Sequence, residues 1–319
     1  MILVISYPQE EHTDAVVSHL NAAGRDVARI DMAEFPYHSS LEMHWKNGDS
    51  PRYSLHRADG TSLAMAAIRV AWWRRVRPYT IDPAIRDVEM RAFAESETAQ
   101  AIGGMFDGLK CRWVNPRAAD DAAHRKPYQW TVAQKIGLSL PRTLVTSNPG
   151  AAREFIRAMA PNRVVFKPFL ATLQSWRETR IIETTDVERL DLVRLAPVIF
   201  QEYIAGADLR VTLIGDRIFA AEIDARTTSY PFDMRMVIEE AILRPIDLPD
   251  RLAEALLKLQ RTLNLDYGAV DLRRTDDGEY FFLEVNPAGQ WLFVEERTGL
   301  PIAQAMANYL AEVEDANLG

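Results

Sequence analysis

An Asp-Gly pair near the carboxyl end of the chain most strongly limits what this sequence can fold into. Asp277 and Gly278 stand between two strand-like runs, LRRT and EYFFLEVN. This dipeptide favours a β-hairpin with a two-residue loop, because both loop positions need a positive φ that Asp and Gly tolerate. The sequence therefore predicts that residues whose numbers sum to 555 face each other across the hairpin.

The predicted hairpin has one apolar side and one acidic side. The apolar pairs are Val270 with Val285 and Leu272 with Leu283. On the other side Asp271 stands opposite Glu284, and Asn286 follows two residues further along that side. Two carboxylates ~4 Å apart repel by about 4 kcal/mol at an effective dielectric constant of ~20. The hairpin therefore needs a proton or a positive partner on its acidic side.

Three solutions satisfy this need. One carboxyl group has a raised pKa, or an arginine such as Arg273 or another nearby one pairs with it, or a divalent cation binds between the two. We favour Mg²⁺, because Asp, Glu and Asn side chains are hard oxygen donors and the opposite side of the hairpin is apolar.

Composition restricts the partners. At 319 residues the chain is long for one core, which predicts two or three subdomains. The net charge of -8 disfavours nucleic acid, and the single cysteine, Cys111, excludes an internal disulfide. The first residues lack a signal-peptide pattern, and no run approaches the ~20 apolar residues of a membrane span. We expect a soluble, cytoplasmic protein with neither nucleic-acid nor membrane partners.

The first third of the chain predicts a parallel α/β layer. Strand candidates at residues 2–5 and 27–30 flank an amphipathic segment at residues 13–23. The first turn, SYPQ, has no glycine, so the dinucleotide fingerprint is absent and we interpret this part as a scaffold. Turn signals within residues 42–63 predict a β-meander. The run IRVAWWRRVRP is either a basic aromatic patch or, as we favour, a buried strand ending in cation–π contacts.

Further helices and strands are predicted from residue 85 onward. The predicted helices cover residues 85–109, 149–159 (capped by Asn148), 250–263 and a last segment from Pro301. The predicted strands cover residues 163–167 and 198–204, and a hairpin turns at Gly215-Asp216.

The hairpin motifs YGAVDL and FLEVNP resemble the metal-binding strands of ATP-grasp ligases. In that superfamily ATP phosphorylates a substrate carboxylate, and a nucleophile then attacks the acyl phosphate. The resemblance implies ATP and Mg²⁺ as cofactors, with Asp271, Glu284 and Asn286 as the magnesium ligands.

The same resemblance implies a nucleotide site. Lys126 in HRKPYQW and Lys167 in VVFKP resemble the two phosphate-contacting lysines. The run VIFQEYI resembles the hinge strand whose backbone bonds adenine, which makes Gln201, Glu202 and Tyr203 nucleotide-binding candidates.

Two residues of the next strand complete the implied site. Asp208 and Arg210 share a strand face, and the resemblance places Asp208 near the ribose and Arg210 near the phosphates or the acyl phosphate. The alternative for both is a surface ion pair worth ~0–1 kcal/mol. The stretch at residues 169–184 contains no glycine, unlike the glycine-rich phosphate loop of many ATP-grasp enzymes.

Motifs along nearly the whole chain resemble one branch, the graspetide synthetases, which are microviridin-type peptide ligases. They are WRR (73–75), WVNP (113–116), KPYQ (126–129), GLSLPRTLVTSNP (137–149), FDMR (232–235) and EVNPAGQWLFVEERTGLPI (284–302). FDMR departs from the Trp often found at its third position. The family implies an α/β ATP-grasp fold with an N-terminal pre-ATP-grasp domain at residues 1–120, a central lid subdomain at 121–200 and a metal-binding subdomain at 201–319.

The family also implies a function. ATP phosphorylates an Asp or Glu side chain of a ribosomal precursor peptide, leader plus core, and a Ser, Thr or Lys side chain closes an ester or amide ring. Asp233 and Arg235 are the candidates for contacting the peptide, with a solvated loop as the alternative, and a homodimer is expected. Two other functions stay open: a RimK-like ligase that adds an amino acid to a small molecule or a protein end, and an ATP-binding regulatory protein without catalysis.

Overall fold

The computed structural model describes residues 1–169, 179–226, 228–230 and 237–317. The chain divides into two units, one holding residues 1–118 and the stretch from Pro301 onward, the other holding residues 119–300. The last helix therefore groups with the first unit, whereas we predicted it inside a 201–319 domain. The predicted boundary at residue 200 falls inside the second unit.

The described residues form both helices and strands. In chain order they are β1 (Ile2–Ile5), α1 (Glu11–Ala22), β2 (Val27–Ile30), β3 (Ser40–His44), β4 (Arg52–His56), β5 (Ser62–Ala64), β6 (Val70–Trp73), α2 (Val88–Asp107), β7 (Arg112–Val114), α3 (Arg117–Ala123), α4 (Lys126–Ile136), β8 (Thr143–Thr146), α5 (Pro149–Met159), β9 (Val164–Lys167), β10 (Arg180–Ile181), α6 (Thr184–Glu188), β11 (Val198–Glu202), β12 (Ala207–Ile214), β13 (Arg217–Asp224), β14 (Ile242–Pro245), α7 (Asp250–Thr262), β15 (Tyr267–Arg274), β16 (Tyr280–Asn286), α8 (Leu292–Thr298) and α9 (Ile302–Ala316). No helix among them is long and apolar enough to cross a bilayer.

The first unit is built on a parallel sheet in the order β2-β1-β6-β7. The predicted strand–helix–strand opening is confirmed, because β1 and β2 pair in parallel with α1 between them in sequence. Helix α1 begins earlier than predicted, since the Glu10 side chain accepts a hydrogen bond from the Thr13 amide at 2.8 Å and caps the helix there. Strands β3, β4 and β5 form the predicted meander.

The tandem tryptophans lie on a buried strand, as we favoured. Trp72 is 1% exposed and Arg74 is 2% exposed, so they do not form a surface patch. The cation over Trp73 comes from Arg117, whose guanidinium carbon lies 5.1 Å from the ring centre.

Helix α9 packs within the first unit. The amino group of Met1 contacts Glu314 at 2.6 Å, and Arg25 binds Asp315 at 2.5 Å. The hydrogen bond and charge of the Asp315 carboxylate raise the pKa of the Arg25 guanidinium. Contacts of this kind join residues at the two ends of the chain, which local sequence patterns do not reveal.

The second unit contains two antiparallel sheets. The smaller has the order β10-β9-β11-β8, and α5 beside it begins at the predicted cap, where the Asn148 side chain accepts a hydrogen bond from the Gly150 amide at 2.8 Å. The larger has the order β14-β13-β12-β15-β16. One face of the larger sheet packs against α7 through buried apolar side chains: Leu209, Val211, Leu213, Val270, Leu272, Phe282 and Val285 from the sheet, and Leu256 and Leu259 from the helix. The opposite face carries polar side chains, among them Asp208, Arg210 and Asp271.

Candidate active site

The β15–β16 hairpin places Asp271 opposite Glu284, as predicted, but its loop differs from the prediction. The Gly278 amide donates to the Thr275 carbonyl at 3.1 Å, and Gly278 has a φ of +86°, which closes a three-residue loop. The longer loop shifts the pairing by one residue, so Leu272 faces Phe282 and the predicted Leu272–Leu283 pair is wrong. A β-bulge between Leu272 and Asp271 then restores the predicted register.

A cation from a neighbouring element contacts each of the two carboxylates. Arg210 on β12 lies opposite Asp271 on β15, and its Nη1 donates to Asp271 Oδ1 at 2.8 Å. Lys126, the first residue of α4, contacts Glu284 Oε2 through its Nζ. The charge repulsion is thus offset by side chains of the protein itself. The arginine alternative that we left open applies to Asp271, with Arg210 rather than Arg273 as the partner.

Two side chains of α4 hold this helix against β16, and sequence reasoning assigned neither of them a role. Gln129 Oε1 accepts from the Val285 amide at 2.9 Å, while its Nε2 donates to the Val285 carbonyl at 2.8 Å. Trp130 Nε1 donates to the Leu283 carbonyl at 2.8 Å. These bonds to the backbone on either side of Glu284 set the position of Lys126 relative to that carboxylate. In the sequence, the one sign that Gln129 has a role at this site was its place in the KPYQ motif.

Asn286 ends β16 opposite Ala269 and is exposed. Its Oδ1 accepts a hydrogen bond from the Ala288 amide at 2.9 Å. The loop that follows lies close to the sheet, since a Cβ added to Gly289 would meet the Ala269 Cβ at 2.3 Å. Only glycine permits this approach.

The residues on this face fit a hard divalent cation. Asp271 and Glu284 supply facing carboxylates, and Asn286 supplies an amide oxygen two residues along β16. In the described ranges no group of three or more His, Cys, Asp and Glu side chains is arranged for a metal. A cation held here therefore takes further oxygen ligands from elsewhere, as Mg²⁺ does when it binds phosphate oxygens.

Arg210 has hydrogen-bonding capacity to spare. Its side chain is about nine-tenths buried, and its Nε has no hydrogen-bond acceptor among the described residues. Leaving a buried donor unsatisfied costs about 1–3 kcal/mol. The surface ion pair considered as the alternative is therefore wrong for Arg210, and an anionic oxygen would satisfy the free donor.

The predicted nucleotide residues of β9 and β11 lie on the smaller sheet. Lys167 Nζ donates to Gln201 Oε1 at 2.7 Å, and Gln201 Nε2 donates to Thr143 Oγ1 at 2.8 Å. Glu202 Oε1 accepts from Asn162 Nδ2 at 2.9 Å. The structure thus joins Lys167 to the predicted hinge strand through a side-chain contact.

Arg273 connects this hinge to the larger sheet. It is 5% exposed. Its Nε donates to the Ile204 carbonyl at 3.0 Å, and its Nη2 donates to the Tyr203 hydroxyl at 3.1 Å. Its Nη1 pairs with Asp208 at 2.7 Å. Burial alone lowers the pKa of Arg273, but Asp208 and Tyr203 outweigh burial and raise it. Asp208 therefore belongs to a buried ion pair, not to a surface one. Its predicted position near the ribose stays a prediction.

Asp233 and Arg235, the candidates for contacting the peptide, lie outside the described residues.

Comparison with known proteins adds a second line of observation. Residues 1–121 match the MvdD pre-ATP grasp domain, and residues 124–310 match the RimK-like ATP-grasp domain. The chain is 32% identical over 212 residues to a ribosomal protein bS6–L-glutamate ligase of Escherichia fergusonii, covering 64% of this chain and 69% of that protein. It is also 32% identical over 103 residues to a D-alanine–D-alanine ligase of Aquifex aeolicus, covering 30% of this chain and about a third (35%) of that protein.

Among the solved structures that match almost end to end is the macrocyclase MdnC of Microcystis aeruginosa MRC, bound with the precursor peptide MdnA. The TM-score is 0.85 at 27% identity, and the match covers 98% of this chain and 99% of that chain.

Proposed function

Because the chain belongs to the RimK-like ATP-grasp family, we propose that it is an ATP- and Mg²⁺-dependent ligase that closes side-chain rings in a ribosomally made precursor peptide. The fold class is confirmed, since an ATP-grasp domain follows an N-terminal pre-ATP-grasp domain. The observation that most supports the peptide as substrate is the end-to-end similarity to a macrocyclase bound with its precursor.

The proposed roles follow the two sheets of the second unit. The residues that hold Mg²⁺ are Asp271, Glu284 and Asn286. The residues that contact the triphosphate or acyl phosphate are Lys126, Lys167 and Arg210, and those beside adenosine are Gln201, Glu202, Tyr203 and Asp208. Asp233 and Arg235 contact the peptide.

The reaction needs charge stabilisation and positioning more than a protein nucleophile. A peptide carboxylate attacks the γ-phosphorus of ATP and ADP leaves; a peptide hydroxyl or amine then attacks the acyl carbon and phosphate leaves. Bound Mg²⁺ neutralises phosphate charge. Arg210, with its free Nε, stabilises the negative charge of the acyl phosphate. Holding both peptide groups together makes ring closure effectively unimolecular.

The second candidate function is the addition of an amino acid to a carboxylate. The similarity to a bS6–L-glutamate ligase over 212 residues favours it, and so does the match of residues 124–310, which include the β15–β16 hairpin, to the RimK-like ATP-grasp domain. The similarity to that ligase spans 64% of the chain, whereas the similarity to the macrocyclase spans 98% and includes the first unit. We therefore place the peptide ligase first. The cytoplasmic location stays a prediction.

Incubation with ATP, Mg²⁺ and a peptide encoded beside the gene tests the two candidates. We expect the peptide to lose mass in steps of one water, because each ring forms with net removal of one water while ATP becomes ADP and phosphate. Mass spectrometry measures the loss, and omission of ATP is the control. A peptide that gains the mass of added residues, or ATP turnover on free amino acids alone, would support the second candidate instead.

We also propose that the chain forms a homodimer through α2. The beginning of this helix is exposed, including Met90 at 60% and Phe93 at 65%. Met90, Phe93 and Glu97 lie on one stripe, because their spacings are three and four residues. If two copies pack these helices antiparallel, Met90 meets Phe93 of the second copy. Arg86, two residues before the first helical residue, then lies near Glu97 of the second copy. The stripe is thus complementary to itself, as a two-fold interface requires.

Charge reversal tests this interface. We expect Arg86→Glu and Glu97→Arg each to weaken the dimer about tenfold, and the double variant to restore it, because two opposite pairs re-form across the two-fold axis. Sedimentation velocity over a dilution series measures the dissociation constant, and Glu95→Arg, which lies off the stripe, is the control. A monomeric wild type, or a double variant weaker than either single one, would exclude the α2 interface.

A further inference from the structure

We infer that Lys126 and Arg210 compete with a divalent cation for the carboxylates of Glu284 and Asp271, and that a bound triphosphate relieves this competition. This inference rests on the proposed ATP- and Mg²⁺-dependent function. It assigns the two cations a second role: they keep the metal carboxylates neutralised until a nucleotide binds, so nucleotide and metal bind cooperatively.

The first observation is the charge balance of the site. Glu284 contacts Lys126, and Asp271 contacts Arg210 at 2.8 Å, so two negative charges face two positive ones. A divalent cation that approaches the same oxygens meets the like charge of a lysine and an arginine. Since opposite charges lower each other's energy and like charges raise it, the two ion pairs weaken metal binding.

The second observation is partial burial. The Arg210 and Asp271 side chains are 10% and 19% exposed, and those of Lys126 and Glu284 are 20% and 30% exposed. Solvent screens such pairs less than it screens surface pairs, so the competition is stronger than a surface ion pair would give. Both pairs join different elements, α4 with β16 and β12 with β15, so neither is a local contact along one helix or strand.

The third observation explains how a nucleotide relieves the competition. Lys126 is the first residue of α4 and carries a long flexible side chain, and the Arg210 Nε is a buried donor without an acceptor among the described residues. Phosphate oxygens accept bonds from both cations. Once Lys126 and Arg210 bond phosphate, their charge is offset there, and the Glu284 and Asp271 oxygens are available to the metal. By linkage, metal must then favour nucleotide binding by the same factor.

Neutral variants separate the two states. We expect Lys126→Met and Arg210→Met each to bind Mn²⁺ alone about tenfold more tightly than wild type, equivalent to about 1.4 kcal/mol. With saturating AMPPNP, each variant should bind Mn²⁺ no more weakly than wild type, because in wild type the cations then bond phosphate and no longer compete. Free Mn²⁺ is measured by electron paramagnetic resonance, with no peptide and no turnover. A residue with only a structural role would weaken both affinities.

Two controls separate this from other effects. Arg274→Met removes the Glu222 partner elsewhere in the same sheet and should change neither affinity. Lys126→Arg keeps the charge and should leave the affinity for Mn²⁺ alone near that of wild type. If Arg210→Met does not fold, Lys126→Met alone tests the inference. We expect this variant to fold, because the Lys126 side chain is partly exposed at the start of α4.

Unchanged or weaker binding of Mn²⁺ alone by Lys126→Met overturns the inference. Absence of Mn²⁺ binding by wild type even with AMPPNP would instead contradict the metal site of the proposed function, so the two failures are distinguishable.

Discussion

Replacing Glu284 with glutamine is expected to lower ligation at least about a hundredfold while leaving the fold intact. Glutamine has the same shape but no charge, so both the proposed metal ligand and the charged partner of Lys126 are lost. The fold should persist because the side chain is 30% exposed and the surrounding structure is held by other bonds, such as those from Gln129 to the Val285 backbone.

Product formation from ATP and the precursor peptide, followed by mass spectrometry, measures this effect, and circular dichroism with thermal unfolding checks the fold. The matched control is Glu279→Gln, which makes the same chemical change at an exposed position of the same hairpin and should retain full activity. Full activity in Glu284→Gln would remove the metal assignment.

Replacing Arg273 with methionine should lower the free energy of unfolding by about 3–5 kcal/mol, because it leaves the Asp208 carboxylate buried without its guanidinium. The same change removes the bonds to the Ile204 carbonyl and the Tyr203 hydroxyl. Since these bonds tie the predicted hinge to β15, we also expect weaker binding of ADP.

Urea unfolding measures the stability and a fluorescent ADP analogue measures the affinity. Arg261→Met is the control: its guanidinium is 66% exposed and its partner Asp216 is 86% exposed, so its loss should cost about 1 kcal/mol or less. Tyr203→Phe removes one bond and no charge, and should fall between the two. If Arg273→Met cost no more than Arg261→Met, the buried pair would not stabilise the fold.

The site was predictable where it depends on strand periodicity. Alternation along 269–272 and 283–286 predicted that Asp271 and Glu284 share a face opposite the apolar core, and the structure has this arrangement. The loop was mispredicted because an Asp-Gly pair also suits a three-residue loop with Gly278 at positive φ. A one-residue shift would have put the carboxylates out of register, and the bulge in β16 compensated for it.

The sources of positive charge were not predictable in the same way. Lys126 and Glu284 are far apart in sequence, and they meet because Gln129 and Trp130 bind the β16 backbone. Arg273 was considered as a partner for the acidic pair, yet it faces Asp208, because β12 and β15 pair in a register that places Arg210 beside Asp271. No sequence pattern within one element indicates how two strands that are distant in the sequence pair in the sheet.

The sequence by itself determined many of the strands, several of the helices, the acidic face of the hairpin and the resemblance to a ligase family, because side-chain periodicity and turn chemistry act between near neighbours. Only the tertiary structure decided how the acidic face is neutralised, that Arg273 links the predicted hinge to β15, and that α9 packs in the first unit. These features depend on contacts between distant residues, whose energies are set by the packing of whole elements. The facing carboxylates of Asp271 and Glu284 are an example, since the sequence predicted their register but not which cationic side chains contact them.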